Sequence, residues 1–118
     1  MQAALGGLER GHSVVLCESS DSLGKTLSYS EHIEFKYDIR MFRDSLISRV
    51  QNSQAEIRMN TAVTPELIRE LEPDLVISAV GGEPFIPPIE GIDHGNVIFA
   101  ASMHKSPYYH KYVHRLWR

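Results

Sequence analysis

The feature that most constrains the fold is the run at residues 11–18, Gly-His-Ser-Val-Val-Leu-Cys-Glu. Its apolar stretch, residues 13–17, is typical of a strand covered on both faces in a parallel sheet. Glu18 follows where a doubly wound sheet presents its ligand-facing edge. Residues 2–10 predict a preceding helix that packs through residues 3, 4, 5 and 8 and is ended by Gly11.

Helix, glycine, buried strand and terminal acid together form the second half of a dinucleotide-binding βαβ unit. In the complete unit a strand and a Gly-x-Gly-x-x-Gly loop precede the helix, and the acid follows the glycines by about 20 residues. Glu18 lies at that distance if the glycine loop ended just before Met1. We therefore expect a truncated piece of a larger nucleotide-binding protein.

Composition excludes several other classes of protein. The formal net charge of −3 gives no electrostatic footprint for nucleic acid. No apolar run reaches the roughly 18 residues of a membrane helix, and no secretory signal opens the chain. The single cysteine, Cys17, excludes an internal disulfide and any multi-thiolate metal or iron–sulfur site built from this chain alone. We expect a cytoplasmic protein without nucleic-acid or membrane partners.

The rest of the chain alternates between helix and strand patterns. Apolar residues at positions 39, 42, 46 and 50 predict a helix from near Tyr37 to near Asn52. Residues 55–60 alternate as a half-buried strand, and Thr64 begins a helix whose buried side is residues 67, 68 and 71. Residues 74–80 are predicted as a second buried strand, and residues 96–100 as a final one. This order favours an α/β fold with a parallel sheet.

Several polar segments allow two interpretations each. The loop at residues 19–28 is either a ligand-binding loop or a plain connector, and the glycines at 81 and 82 either admit a ligand or form a simple turn. Residues 36, 40 and 43 are cationic and either form a solvated face or reach a phosphate. His104, His110 and His114 have no nearby cysteine or clear carboxylate ligand, so we expect no metal. No catalytic constellation stands out, and nucleotide binding is the only chemical signal.

A family resemblance follows from these segments. Residues 10–18, followed by Ser22-Leu23-Gly24, resemble the first nucleotide-binding domain of two-dinucleotide flavoproteins. Residues 60–67, 73–82 and 87–93 narrow the resemblance to the C-terminal half of NADH:flavin oxidoreductases of the old-yellow-enzyme type. That group includes 2,4-dienoyl-CoA reductase, 2-enoate reductase and trimethylamine dehydrogenase. The resemblance fades in the tail after Ala101.

The resemblance implies the fold and the cofactors. It implies an incomplete Rossmann-like domain, α/β and doubly wound with a mainly parallel sheet, that lacks its first strand and glycine-rich loop. Residues 1–101 would be a partial FAD/NAD(P)-binding domain, and residues 102–118 a tail or linker toward a missing second nucleotide-binding domain. The cofactor would be FAD, or ADP instead. NAD(P)H, FMN and an iron–sulfur cluster would belong only to missing parts of the parent enzyme.

The resemblance also implies site residues. Glu18 would hold the adenosine ribose hydroxyls, and the backbone of Val63 would lie beside the adenine. Lys25 replaces the family's second glycine, and Val80 replaces its usual threonine. The cofactor-binding residues expected from the resemblance are Glu18, Ser19, Leu23, Gly24, Lys25, Thr26, Leu27, Val63, Ala79, Val80 and Gly81.

The expected function is therefore a partial FAD-binding domain of an NAD(P)H-dependent flavin oxidoreductase. In the intact enzyme it would relay electrons between NAD(P)H and a second flavin, and the isolated chain would be inactive. The alternatives are a non-catalytic ADP-binding or structural module and a truncated fragment without independent activity. Because the first strand is missing, we expect residues 14–17 to pair directly with residues 75–79, or to take a strand from a partner chain by self-association.

Overall fold

The computed structural model of the chain describes residues 1–28, 36–82 and 85–98. The chain divides into two compact units, Met1–Val80 and Gly81–Arg118. All helices and strands of the described residues belong to the first unit. In chain order they are α1 (Gln2–Glu9), β1 (Val15–Cys17), α2 (Lys25–Ser28), α3 (Tyr37–Gln51), β2 (Glu56–Arg58) and α4 (Pro65–Leu71).

Strands β1 and β2 form a parallel two-stranded sheet in which Leu16 lies opposite Ile57. The ladder continues at both ends of the strands. Glu56 N donates to Val14 O at 2.9 Å, and Glu18 N donates to Arg58 O at 2.9 Å. The predicted mixture of helices with a parallel sheet is thereby confirmed, and the architecture is compatible with an α/β fold.

The core lies between the helices and one face of this sheet. Leu5 of α1 packs with Leu46 and Val50 of α3, and Val50 is fully buried. Leu16 of β1 and Ile57 of β2 pack against this cluster and are partly buried. Helices α1 and α3 therefore cover the face of the sheet that carries Leu16 and Ile57.

The opposite face of the sheet is more exposed than the sequence predicts. Because successive strand residues point to opposite faces, Val15, Cys17, Glu56 and Arg58 lie on this second face. Val15 is 41% exposed, and Arg58 Nε donates to Glu56 Oε1 at 2.7 Å. The prediction that residues 13–17 are buried on both faces is therefore wrong for the described part of the chain.

Helix α1 ends as predicted. Gly11 has a φ of +83°, which suits glycine because it has no Cβ. Its N–H donates to Leu8 O at 2.9 Å, and His12 N donates to Gly7 O at 3.1 Å, so the two bonds form a Schellman motif. A Cβ on Gly7 would lie 3.0 Å from Val14 Cγ2, which shows how closely α1 approaches the start of β1. Of the residues expected to pack, Ala4 and Leu5 are buried but Ala3 is exposed.

Helices α3 and α4 also form where the sequence predicts them. In α3 only the C-terminal part of the apolar face is buried, because Leu46 and Val50 lie over the sheet whereas Phe42 is 56% exposed. Helix α4 is capped at its N-terminus by Thr64, whose Oγ1 accepts a hydrogen bond from Leu67 N at 3.3 Å. The residues expected on its buried side, Leu67, Ile68 and Leu71, are only half-buried.

The predicted strand at residues 74–80 does not form. Leu75 is 77% exposed, Ile77 61% and Val80 87%. A parallel strand needs a neighbour for its backbone hydrogen bonds and cover for its faces. No strand of the described residues pairs with this segment, so its apolar composition does not suffice. The predicted direct pairing of residues 75–79 with β1 is therefore wrong, and pairing with a partner chain stays a prediction.

The described residues of the second unit, 81–82 and 85–98, contain turns but neither helix nor strand. Ile92 N donates to Ile89 O at 3.2 Å, and Val97 N donates to His94 O at 2.8 Å. The part of the predicted strand 96–100 that the structure describes, residues 96–98, therefore does not form a strand. Residues 99–100 and the tail at 102–118 lie outside the described residues.

Candidate functional site

The loops that follow β1 and β2 lie side by side at the carboxyl end of the sheet. Beyond the strands, Thr61 N donates to Glu18 O at 2.8 Å, and Asn60 N donates to Ser20 O at 3.0 Å. Asn60 has a φ of +52°, a left-handed conformation that asparagine tolerates better than most residues. This turn directs the backbone N–H groups of Asn60 and Thr61 toward the loop after β1.

The Glu18 carboxylate is held by this loop. Its Oε1 accepts hydrogen bonds from Ser20 N and Ser20 Oγ, both at 2.8 Å, and a longer one from Ser19 Oγ at 3.5 Å. The Ser20 backbone N–H is the main reason that the pKa of Glu18 lies below its ordinary value of 4.5, and the Ser20 hydroxyl is the second. Partial burial of the carboxylate opposes this effect, and the positive charge of Lys25 adds to it.

The two carboxylate oxygens of Glu18 differ in their surroundings. Every hydrogen bond that the described residues make to this carboxylate ends on Oε1. A carboxylate oxygen accepts about two hydrogen bonds, so the two short bonds from Ser20 fill Oε1. Among the described residues no donor bonds to Oε2, so with respect to them Oε2 can accept hydrogen bonds from a ligand. A fixed, ionised carboxylate with one such oxygen suits a ligand that presents hydroxyl groups, as a ribose does.

The next part of the loop packs onto the helices. Gly24 has a φ of +74°, and a Cβ there would lie 3.0 Å from Arg43 Cγ and 3.2 Å from Met1 Cε, so only glycine fits without a shift of its neighbours. Leu23 is partly buried against the core. Helix α2 then begins, with Leu27 N donating to Gly24 O at 2.9 Å. The predicted loop at residues 19–28 is therefore a loop followed by a short helix.

The structure brings only some of the predicted cofactor-binding residues together. Ser19 contacts Glu18 directly, and Lys25 is close enough for its charge to act on the carboxylate. Val63 is 48% exposed and follows Thr61 by two positions. No hydrogen bond or ion pair of the described residues joins Ala79 or Val80 to Glu18. Of the remaining predicted residues, Thr26 is exposed in α2, Leu27 is half-buried, and Gly81 is an exposed residue of the second unit.

The sequence prediction missed Ser20 and Asn60. The Glu18 carboxylate accepts a hydrogen bond from the backbone N–H of the residue two positions later, as the shorter side chains of aspartate and asparagine often do at turns. Because glutamate is not a usual residue of this motif, the sequence at residues 18–20 gave only a weak signal for Ser20. Asn60, as an asparagine directly after an alternating strand, was a weaker signal for a left-handed residue.

Phosphate binding by the cationic residues of α3 and metal binding receive less support. Two of these cationic side chains lie near partners within the chain: Arg43 Nη2 lies 2.9 Å from Asp44 Oδ1, and the Arg40 guanidinium lies 5.8 Å from the centre of the Tyr37 ring. The described residues contain no group of three histidine, cysteine or acidic side chains that could bind a metal ion. His104, His110 and His114 lie outside them. In the same described part, no helix is long and apolar enough to cross a membrane.

Comparison with known proteins shows similarity to oxidoreductases. The chain is 38% identical over 96 residues to an NADH oxidase from Thermoanaerobacter brockii, an alignment that covers 81% of the chain and 15% of the relative. It is 32% identical to a bilirubin reductase from Mediterraneibacter gnavus over 77% of the chain and 14% of the relative. It is 33% identical to a cinnamate reductase from Clostridium sporogenes over 79% of the chain and 14% of the relative.

The chain thus spans about one seventh of the length of these relatives. No protein-family model matches it, and no solved structure matches it. The names of the three relatives all describe oxidoreductases, so the expected similarity to this class of enzyme is confirmed. The chain is homologous to one segment of much longer oxidoreductases.

Proposed function

We propose that this chain is the adenosine-binding part of an FAD-binding, Rossmann-like domain in an NAD(P)H:flavin oxidoreductase of the old-yellow-enzyme type. The observation that carries the proposal is the position of Glu18 at the carboxyl end of β1, with Oε1 held by Ser20 and Oε2 able to accept a ligand hydroxyl. The similarity to an NADH oxidase and to two reductases supports the same class of reaction.

The chemistry of the site fits the adenosine end of a dinucleotide. Oε2 of Glu18 would accept hydrogen bonds from the ribose hydroxyls, and a carboxylate bonded to a hydroxyl makes one of the stronger hydrogen bonds in proteins. Lys25, which is exposed, would supply positive charge to the phosphates. When bound, FAD would supply the electron transfer between NAD(P)H and a second flavin. The other predicted residues, from Leu23 to Gly81, are proposed contacts along the same cofactor.

The proposed role of the chain is binding rather than catalysis. Glu18, which is held by Ser20, would recognise the ribose, and none of the proposed cofactor-binding residues would transfer a proton or act as a nucleophile. We propose that the chain by itself is inactive and that the parent enzyme operates in the cytoplasm. Its substrate would be set by parts of the enzyme outside these 118 residues.

The test is a flavin titration of the 118-residue chain, followed by flavin fluorescence. We expect FAD to bind and FMN, which lacks the adenosine, not to bind. Glu18→Gln should weaken FAD binding roughly tenfold or more, because a hydrogen bond to a charged group is worth about 1.5–3 kcal/mol. Asp21→Asn, which removes an exposed carboxylate from the same loop, should bind FAD as the unmodified chain does. Equal binding of FMN and FAD, or an unaffected Glu18→Gln, would refute the proposal.

A second candidate function is an ADP-binding module without flavin. It is favoured by Lys25, whose charge reaches Glu18 and would stabilise the additional negative charge of a terminal phosphate. The same titration separates the two functions. Binding of ADP without binding of FAD would select this second function, whereas binding of both, with ADP displacing FAD, would select the first.

A further inference from the structure

Ser20 makes two hydrogen bonds to one oxygen of Glu18, and the neighbouring loop holds Ser20 in turn. Ser20 N and Ser20 Oγ both lie 2.8 Å from Glu18 Oε1. Ser20 O accepts the Asn60 amide at 3.0 Å, so the loop after β2 fixes the backbone from which both bonds originate. From these contacts we infer that Ser20 is a positioning residue. It orients the Glu18 carboxylate so that Oε2 can accept a hydrogen bond from a ligand hydroxyl.

The energetics of the carboxylate favour this inference over an accidental contact. A glutamate side chain has three rotatable bonds, and fixing it costs about 1.5–2 kcal/mol of conformational entropy. The two hydrogen bonds from Ser20 offset this entropy loss in the unliganded chain. A ligand hydroxyl would therefore bind to an acceptor that is already oriented. The hydrogen bonds also favour the ionised form of Glu18, which is the better acceptor.

The Ser20 hydroxyl has a second acceptor nearby, since Ser22 O lies 3.0 Å from Ser20 Oγ. A hydroxyl has one proton to donate, and an ionised carboxylate attracts it more strongly than a carbonyl does. The proton is therefore expected on the Glu18 side while Glu18 is ionised. Ser22 contributes its carbonyl to this arrangement, and its own side chain makes no hydrogen bond among the described residues.

The effect of the Ser20 hydroxyl on ligand affinity distinguishes positioning of the Glu18 carboxylate from competition with the ligand for it. If the Ser20 hydroxyl only competed with the ligand for the carboxylate, its removal would leave Oε1 more available and strengthen ligand binding. If the hydroxyl positions the carboxylate, its removal leaves Glu18 Oε1 with the backbone N–H of residue 20 as its one short hydrogen bond among the described residues, and ligand binding weakens because the carboxylate is less firmly oriented. The expected effect of Ser20 on ligand binding rests on the proposed function, whereas the orientation of Glu18 by Ser20 can be measured without a ligand.

The experiment is an NMR titration of the Glu18 carboxyl carbon in the full chain and in three variants. In Ser20→Ala the pKa of Glu18 should rise toward its ordinary value, because the hydroxyl no longer stabilises the carboxylate. Ser20→Thr, which keeps a hydroxyl, and Ser22→Ala, which keeps the Ser22 carbonyl, should leave it near that of the unmodified chain. In the unmodified chain the Ser20 amide proton should shift with the ionisation of Glu18, a measurement that needs no variant. An unchanged pKa in Ser20→Ala, or a Ser20 amide that does not respond, would overturn the inference.

A second readout is the affinity for ADP. Ser20→Ala should bind ADP roughly three- to tenfold more weakly, in the range expected for the loss of one ordinary hydrogen bond, and Ser20→Thr should restore binding. Equal or tighter binding by Ser20→Ala would overturn the positioning role. If the unmodified chain and all variants fail to bind ADP, the proposed function is wrong. If the pKa of Glu18 still rises in Ser20→Ala in that case, the orientation of Glu18 by Ser20 is supported.

Discussion

The backbone N–H of Thr61 donates a hydrogen bond to the carbonyl oxygen of Glu18, with 2.8 Å between nitrogen and oxygen. This bond lies beyond the last paired residues of the sheet, Cys17 and Arg58. The loop that carries Glu18 is thereby tied to the loop that precedes Val63. A ligand bound at Glu18 would therefore meet residues that follow both strands.

The left-handed conformation of Asn60 leads to a first prediction. Asparagine tolerates a φ of +52° better than alanine, because its short polar side chain can hydrogen-bond locally, so Asn60→Ala should lower the free energy of unfolding by up to about 1 kcal/mol. Asn60→Gly adopts this conformation without strain and should be the more stable of the two variants. Urea denaturation of both gives the comparison. Equal stabilities would show that the turn after β2 does not depend on this conformation.

The two adjacent glycines of α1 give a second prediction with a built-in control. In Gly6→Ala the added Cβ lies 3.2 Å from Arg10 Nη1, the end of a side chain that can move, so this variant should gain up to about 1 kcal/mol of helix propensity. In Gly7→Ala the Cβ lies 3.0 Å from Val14 Cγ2, a β-branched side chain that is stiff at χ1. Gly7→Ala should therefore be less stable than Gly6→Ala by about 1 kcal/mol or more. Thermal unfolding measures the stability of both variants. A Gly7→Ala variant as stable as Gly6→Ala would argue against close packing of α1 on the start of β1.

The lowered pKa of Glu18 predicts how stability depends on pH. Because the carboxylate is stabilised in the folded chain, its contribution is fully present above the ordinary pKa of 4.5 and is lost as the pH falls through the lower folded value. Glu18→Gln has no such contribution. The stability difference between the unmodified chain and Glu18→Gln should therefore shrink on acidification below pH 4.5, as measured by urea denaturation at several pH values. A difference that is independent of pH, or that grows on acidification, would contradict the assigned hydrogen bonds.

The open edge of β1 gives a prediction about self-association. In a parallel ladder only alternate residues bond to a given neighbour, so Glu18 N bonds to β2 whereas the Cys17 amide faces the other edge. Among the described residues no strand pairs with that edge. If a second copy supplies a strand, the exchange of the Cys17 amide with solvent should slow as the protein concentration rises, while that of Glu18 stays slow throughout. Fast exchange of Cys17 at every concentration would exclude this mode of association.

Local signals allowed most helices and both observed strands to be predicted. The end of α1 was predicted from Gly11, and the start of α4 from the Thr64 hydroxyl and the proline that follows it. Helix α3 is visible in the spacing of its apolar residues. These features need only neighbours in the sequence, which is why the structure agrees with them.

The errors concern features that depend on distant partners. The apolar run at residues 75–80 has the composition of a buried strand, yet strand formation needs an adjacent strand that the described residues do not provide. The exposure of Val15 has the same origin, since the second face of the sheet lacks cover there. At the site, Glu18 was predicted from its position after the strand, whereas Ser20 was missed because its role depends on the side-chain conformation of Glu18.

The central claim is that Glu18 recognises the ribose hydroxyls of an adenine nucleotide, and calorimetric titration with two ligands tests it most directly. ADP and 2′,3′-dideoxy-ADP differ only in these hydroxyls. The unmodified chain should bind ADP roughly tenfold or more tightly than the dideoxy analogue, the factor expected for a charge-assisted hydrogen bond. In Glu18→Ala this preference should disappear, because the acceptor is gone. A preference for ADP that persists in Glu18→Ala, or no preference in the unmodified chain, would contradict the account.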